Sequence, residues 1–476
     1  MPKSPNIQAK SFKLSPAQVT MISFVALSLL GAFLLMLPIS NTSGQALDFV
    51  SAFFMSVSAT CVTGLAVVHL GHDFTIFGQS VVLFLMQVGG LSYMTMTTIL
   101  VYLAGNKLSF SDSKIFDMSN NSESKIDFKD FVIKIATFTF VIELFGIAFL
   151  SWGSVQTVID NYAGYSSNKA FLVGIFQAVF HSVSAFCNAG LSLFESSLET
   201  HSTNYWFLFV FSLLPIIGGL GYTVLTELYA YFCSKSNVKR LSLHTKVSLI
   251  ATFSLLIIGV LIQLGLIYIQ DLSATIEGTL NSAQGINTHI QNFWTAFFQS
   301  VASRSSGFNS IPLTLLGDSS LVFLIVWMFI GACPGGTGGG IKVTTLVLVF
   351  AIMHAGLKNT KDVKVLNRSV GELYQQRALI VFISTSVMII FFTFLIEIFE
   401  SHHSLRFLDT LFEVTSAFTT VGLSTGITTE LSDPSLLVLC LCMIIGRPGP
   451  LLFLMAIFTE DKSRELRYPE ENILIG

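Results

Sequence analysis

Long apolar runs dominate the chain, at about 18–39, 76–104, 131–153, 204–232, 247–270, 319–355, 378–399 and 435–459. A helix of about 20 apolar residues crosses the ~30 Å of bilayer hydrocarbon, so each run predicts a membrane span. Between the two members of each pair lies a shorter apolar segment. It is too short to span and suits a helix that enters the membrane and returns. The pattern predicts an all-α integral membrane protein: eight transmembrane helices, built as four helix–pore loop–helix repeats around a central pore.

The short segments resemble one another. Phe54 precedes Gly64 by ten residues, Phe180 precedes Gly190, Phe297 precedes Gly307 and Phe412 precedes Gly422, with a Ser/Ala-containing stretch between. These glycines are 126, 117 and 115 residues apart. A second glycine landmark follows each by 24 to 28 residues, beginning at Gly89, Gly218, Gly331 and Gly446. Two landmarks in one order, four times over, mark an internal repeat.

Charge then orients the units. Basic residues cluster at Lys3–Lys13, Lys107–Lys134, Lys235–Lys246, Lys358–Arg377 and Lys462–Arg467, and those after the first follow every second apolar run. The positive-inside rule places these clusters, and both termini, in the cytoplasm. All four units then run the same way, related by an axis along the membrane normal. The chain divides into a cytoplasmic N-terminus (1–17), repeat 1 (18–104), a cytoplasmic loop (105–130), repeat 2 (131–232), a loop (233–246), repeat 3 (247–355), a loop (356–377), repeat 4 (378–459) and a cytoplasmic tail (460–476). The basic, then apolar, N-terminus mimics a signal peptide, but its apolar run is too long, and it reads as the first span.

Composition agrees. Of 476 residues, 52% are hydrophobic and 11% charged, with 44 Phe; a soluble domain carries roughly a quarter charged residues. The six cysteines form no C-x-x-C pair, so neither a disulfide framework nor a zinc site is expected. No nucleophile with a paired base and no set of metal ligands on facing helices stands out, so the chain does not read as an enzyme.

Four re-entrant segments around one axis leave a pore. A glycine in each allows positive φ, so neighbouring carbonyls can turn to the axis, and a ring of carbonyl oxygens can replace the water shell of a cation. Each short helix would aim its negative end at the cavity below. These features point to passage of a monovalent cation.

The whole chain resembles the Trk/Ktr/HKT superfamily of potassium transporters, and its span count is that of the Ktr membrane subunit. The segments that look like filter segments of that family are Cys61-Val62-Thr63-Gly64-Leu65, Cys187-Asn188-Ala189-Gly190-Leu191, Ser303-Arg304-Ser305-Ser306-Gly307-Phe308 and Thr420-Val421-Gly422-Leu423-Ser424. The resemblance implies a potassium filter at Thr60 to Gly64, Cys187 to Gly190, Ser305 to Gly307 and Thr420 to Gly422, with the ion held by backbone carbonyls. Some sodium-permeating relatives have serine at the first filter glycine; Gly64 favours potassium. The resemblance also implies a homodimer in the lipid bilayer of the cell membrane. A separate cytosolic ring, of the kind that binds nucleotides in Ktr and Trk systems, is the implied partner, since this chain shows no nucleotide-binding domain. No cofactor in this chain and no nucleic acid are expected.

One run cannot be a continuous helix. Gly331 to Gly340 combines Pro334 with six glycines, at roughly 1 kcal/mol per glycine and ~3 for proline. An intramembrane loop at 331–341 is expected, and its backbone needs protein or water around it. Gly335, Gly336, Thr337, Gly338, Gly339 and Gly340 are the expected gate, a role the resemblance implies as well. Lys342 follows Ile341 rather than a glycine, so the phosphate-binding motif fails. Arg447, deep in the last run, is expected to hold this loop by its carbonyls. Arg304 should point behind the filter and support it, because a cation lining a cation filter is repelled. Glu143 and Glu397 suit either arginine partners or interfacial positions. His69, His72, His402 and His403, like Asp73, Glu195, Glu199, Asp318 and Glu430, fall towards the outer side.

Overall fold

A computed structural model of the chain describes residues 16–91, 128–161, 167–232, 240–276, 286–360, 362–402 and 405–457. Most of the N-terminal segment, the loop at 105–127, the far part of the 76–104 run, residues 233–239 with Cys233, His403 and the 460–476 tail lie outside the described residues.

The first unit supplies α1 (Pro16–Met36), α2 (Phe49–Thr60) and α3 (Ile76–Gly90). Asp48 caps α2 by accepting from the N–H groups of Val50 and Ser51, and Thr75 caps α3; such caps satisfy the orphan donors of a helix start. The second unit supplies α4 (Phe128–Asn161), α5 (Ser167–Cys187), α6 (Tyr205–Leu220) and α7 (Tyr222–Phe232). The third supplies α8 (Leu243–Ile276), α9 (Ile286–Val301), α10 (Asp318–Phe329) and α11 (Val343–Leu357). The fourth supplies α12 (Glu372–Phe399), α13 (Phe407–Phe418), α14 (Asp433–Gly446) and α15 (Pro450–Ile457).

By length and apolarity, five described helices can cross a membrane, or up to seven if each bent pair counts as one span. One of the five, within α5, covers the shorter apolar segment of the second unit, which the sequence pattern took as too short to span. Its excess length lies at its N-terminal end, away from the glycine that follows it. Large apolar residues such as Phe140, Phe145, Ile257, Leu261, Ile390 and Phe394 stand exposed on α4, α8 and α12, the surface that lipid would cover.

The second helix breaks in more than one unit. Expected only at 331–341, breaks also fall between α6 and α7, bent by 96°, and between α14 and α15, bent by 93°. Gly221 (φ 87°) and Gly449 (φ 91°) sit at these corners, where a side chain would be strained. Among the described residues the paired strands are those of one hairpin, Lys364–Val365 with Arg368–Ser369, and the elements are otherwise helical. Leu366 and Asn367 turn it with positive φ, as a tight two-residue turn requires.

Candidate functional site

The four return helices α2, α5, α9 and α13 converge, and the glycines that follow them close a ring. A methyl group built on Gly64 would stand 2.8 Å from the Ala189 carbonyl oxygen, and one on Gly190 2.8 Å from that of Ser306. One on Gly307 would strike the Val421 carbonyl oxygen, and one on Gly422 that of Thr63. Each glycine thus abuts the backbone of the next unit, in the order one, two, three, four and back to one. All four have positive φ, at 108°, 68°, 71° and 90°. Two residues earlier, Val62, Asn188 and Thr420 are also left-handed, at 54°, 60° and 50°, conformations that cost a non-glycine residue about 1–3 kcal/mol and persist only where the surroundings impose them.

Backbone bonds at the helix ends hold them, with Val62, Asn188 and Thr420 donating to the carbonyls of Ala59, Ala185 and Ala417, and serines brace the residues that follow. The Ser58 hydroxyl accepts from the Gly64 N–H at 3.1 Å and the Ser416 hydroxyl from the Gly422 N–H at 3.0 Å, while Ser184 donates to the Leu191 carbonyl at 2.7 Å. The third unit lacks this serine: Ala302 stands in its place, and the segment is one residue shorter. The buried Phe54, Phe180 and Phe412 are matched by Phe298, not by the half-buried Phe297 that the ten-residue spacing selects. Ala302–Ser306 wind into a wide π-type turn, and this unit has no counterpart to the left-handed Val62, Asn188 and Thr420.

A third landmark escaped the sequence reading. Ser56, Ser182 and Ser300 donate to the carbonyls of Ser28, Glu143 and Leu256 on the first helix of their units, at 2.7, 2.8 and 3.4 Å. Three residues beyond each acceptor stands Gly31, Gly146 or Gly259, where a methyl would collide with the serine oxygen. These glycines recur 115 and 113 residues apart, and that period was the available signal. The second-helix glycines act alike: Gly89, Gly218 and Gly446 press on the carbonyls of Thr60, Phe186 and Phe418, each four residues before a ring glycine.

The glycine-rich loop lies directly under the ring. Thr337 donates its hydroxyl to the Phe186 carbonyl at 3.0 Å and accepts from the Asn188 amide. Gly338 abuts Ser305, and Gly339 abuts Thr419 and Thr420. Gly335 and Gly340 carry positive φ, and Gly336 lies on the Gly219 carbonyl. Protein satisfies part of the loop's own backbone: Cys333 and Thr337 donate to the carbonyls of Gly219 and Gly218 at 2.9 and 3.0 Å. Lys342 donates to the Gly338 carbonyl at 2.6 Å.

Two buried arginines frame this arrangement. Arg447 donates to the Thr337 carbonyl and, at 2.8 Å, to the Gly89 carbonyl. Arg304 turns away from the ring, to the Thr252 carbonyl at 3.5 Å and the Gly331 carbonyl at 3.3 Å. Neither pairs with a carboxylate among the described residues. Glu143 instead accepts from Gln87 at 3.0 Å, and Glu397 is half-buried.

Above the ring opens a cavity of about 260 Å³, lined by all four ring glycines and by Glu195, Glu199 and Asn309. The other acidic residues singled out do not line it. Asp318 pairs with Arg406 at 2.6 Å and Asp73 with His72 at 2.8 Å, and Glu430 is exposed. Burial pushes the Glu199 carboxyl up, and the Asn309 amide, donating at 2.9 Å, pulls it part of the way back. Among the described residues no group of His, Cys, Asp and Glu could hold a metal.

Residues 9–465 match the model of a family described as TrkH, cation transport protein. The chain is 34% identical to the Ktr system potassium uptake protein B of Vibrio alginolyticus, over 96% of this chain and 94% of the relative. It is 34% identical to the protein of the same name in Bacillus subtilis, over 98% of each. It is 32% identical to the potassium/sodium uptake protein NtpJ of Enterococcus hirae, again over 98% of each. Among solved structures, the potassium transporter TrkH from Vibrio parahaemolyticus shares the fold, with a TM-score of 0.69 at 17% identity, covering 96% of this chain and 87% of that one.

Proposed function

This chain belongs to the TrkH family of cation transport proteins, and we propose that it takes up potassium across the cell membrane through the glycine ring, acting as a selectivity filter. It is a multi-pass membrane transporter and not an enzyme. The observation that carries the finer reading is the closure of the ring, in which four glycine-bearing segments meet backbone to backbone. Carbonyls so arranged can replace the water around an unhydrated cation. Beneath them the loop at 331–341 acts as the gate: it occupies the space below the ring, where Thr337 touches the second unit, Gly338 the third and Gly339 the fourth. Arg447 latches it and Arg304 supports the filter from behind.

A second copy of the chain and a cytosolic nucleotide-binding ring are the proposed partners, with the cytoplasmic loops as their docking surface. A second reading, uptake of sodium as well as potassium, is favoured by the similarity to the potassium/sodium uptake protein of Enterococcus hirae.

The test is radiotracer potassium uptake into proteoliposomes, competed with unlabelled sodium, for the native chain and Gly64→Ser. Uptake that resists sodium, and loses that resistance in the variant, supports a potassium filter. Equal competition by sodium and potassium in the native chain selects the second reading.

A further inference from the structure

One position on the return helices, just after the buried phenylalanine, is occupied by Met55, His181, Gln299 and Glu413 in units one to four. In the second unit, His181 Nδ1 lies 2.9 Å from the Gln177 carbonyl, which can only accept. Nδ1 therefore carries the proton, and Nε2 accepts from the Leu193 N–H at 3.1 Å and from the Ser192 hydroxyl at 3.0 Å. In the fourth unit, the Glu413 carboxylate accepts from the Thr428 hydroxyl, which lies 2.9 Å from the Ser424 hydroxyl. Ser192 and Ser424 hold the same place, two residues past the ring glycine.

Units one and three differ. There the place past the glycine belongs to Ala66 and Asn309. Ala66 has no hydroxyl to donate towards Met55, and neither amide atom of the buried Gln299 has a partner. Asn309 turns to Glu199 instead. Because the ring runs one to four in order, the two clamped units stand opposite each other across it.

We propose that His181 and Glu413 are positioning residues that fix the chain leaving the ring on two opposite sides, and so set which monovalent cation the ring prefers. The assignment rests on the potassium-filter reading. Neither side chain touches the ion; each acts by holding backbone whose carbonyl spacing discriminates between cations. The unclamped pair leaves the other diagonal free to adjust.

The experiment is the potassium-over-sodium uptake ratio of proteoliposomes carrying the native chain, His181→Leu, Glu413→Leu, Glu413→Gln and Thr428→Val. Loss of these buried hydrogen bonds is expected to lower the ratio at least about tenfold in each leucine variant and about tenfold in Thr428→Val, with total cation uptake retained. Glu413→Gln keeps an acceptor oxygen for Thr428 and should hold the ratio within about twofold of native. Thr428→Val is close in shape to the native residue and reads the Glu413 contact if Glu413→Leu does not fold, and Ser192→Ala does the same for His181. A native ratio in the leucine variants and in Thr428→Val overturns the proposal. So does a Glu413→Gln variant as impaired as Glu413→Leu, because charge would then be the operative property. A native chain that takes up no monovalent cation at all overturns the filter reading itself, and this assignment with it.

Discussion

The Arg447 guanidinium donates to the Gly89 carbonyl at 2.8 Å, joining the last unit to the first. Its other nitrogen donates to the Thr337 carbonyl in the glycine-rich loop. Hydrogen bonds from a charged donor are worth roughly 1.5–3 kcal/mol each. Arg447→Ala removes both and frees the loop from the wall of the pore. Initial potassium uptake should rise at least about tenfold, and more if the open state keeps neither bond. Arg447→Lys, a point charge without the fork that reaches two carbonyls, should fall between native and alanine. Unchanged uptake in Arg447→Ala would remove this residue from the latch.

Thr337 provides the other half of that hold. Its hydroxyl bridges the Phe186 carbonyl and the Asn188 amide. Thr337→Val keeps the shape and deletes the bridge, at about 1 kcal/mol, so uptake should rise roughly fivefold. Asn188→Ala removes a partner of the same hydroxyl, so the double variant should show less than the product of the two single effects. Full additivity in initial rates would mean that the two residues act separately.

The repeated units were legible because apolar length and glycine spacing survive in the sequence. The ring glycines, the loop and the direction of Arg304 all follow from chemistry that one residue type carries alone. What escaped depends on pairs. The contact of Ser182 with the wall beside Gly146 needs two helices brought together, and neither residue signals it in isolation. Phe298 was passed over for Phe297 because a one-residue shortening is invisible until the structure shows that this segment lacks the left-handed residue found at Val62, Asn188 and Thr420. The sharp corners after α6 and α14 were missed because single glycines are weak breakers beside the cluster at 331–340. Glu143 was weighed as an arginine partner on charge, yet its neighbour is the neutral Gln87.

The Gly146–Ser182 contact makes a stability test independent of transport. A methyl on Gly146 would collide with the Ser182 oxygen, and overpacking of this kind costs typically 1–3 kcal/mol. Gly146→Ala should lower the thermal midpoint of the detergent-solubilised protein. Ser182→Ala removes the colliding atom and should recover part of the loss in the double variant, although the Glu143 carbonyl then loses its donor. A double variant no better than Gly146→Ala would show that the close approach is not what selects glycine here.

Glu199 gives the vestibule a dependence on external pH. Burial raises its carboxyl above the usual carboxylate range, and the Asn309 amide offsets this in part. A raised acid keeps its proton to higher pH, so the vestibule gains this negative charge only as pH climbs through the raised value and loses it on the way down. Asp73 behaves oppositely, since its hydrogen bonds to His72 and to the His69 N–H outweigh burial and hold it below its usual range, but it does not line the cavity. Potassium uptake well below saturation should therefore fall as external pH drops into the mildly acidic range. The change should be about twofold to fivefold, the size expected for a partly exposed charge. The maximal rate should stay the same, because the ring itself is untouched. Glu199→Gln should flatten the profile at its low-pH level. If the pH step survives in Glu199→Gln, the titrating group lies elsewhere in the mouth, and Glu195, which lines the same cavity, is the next residue to replace.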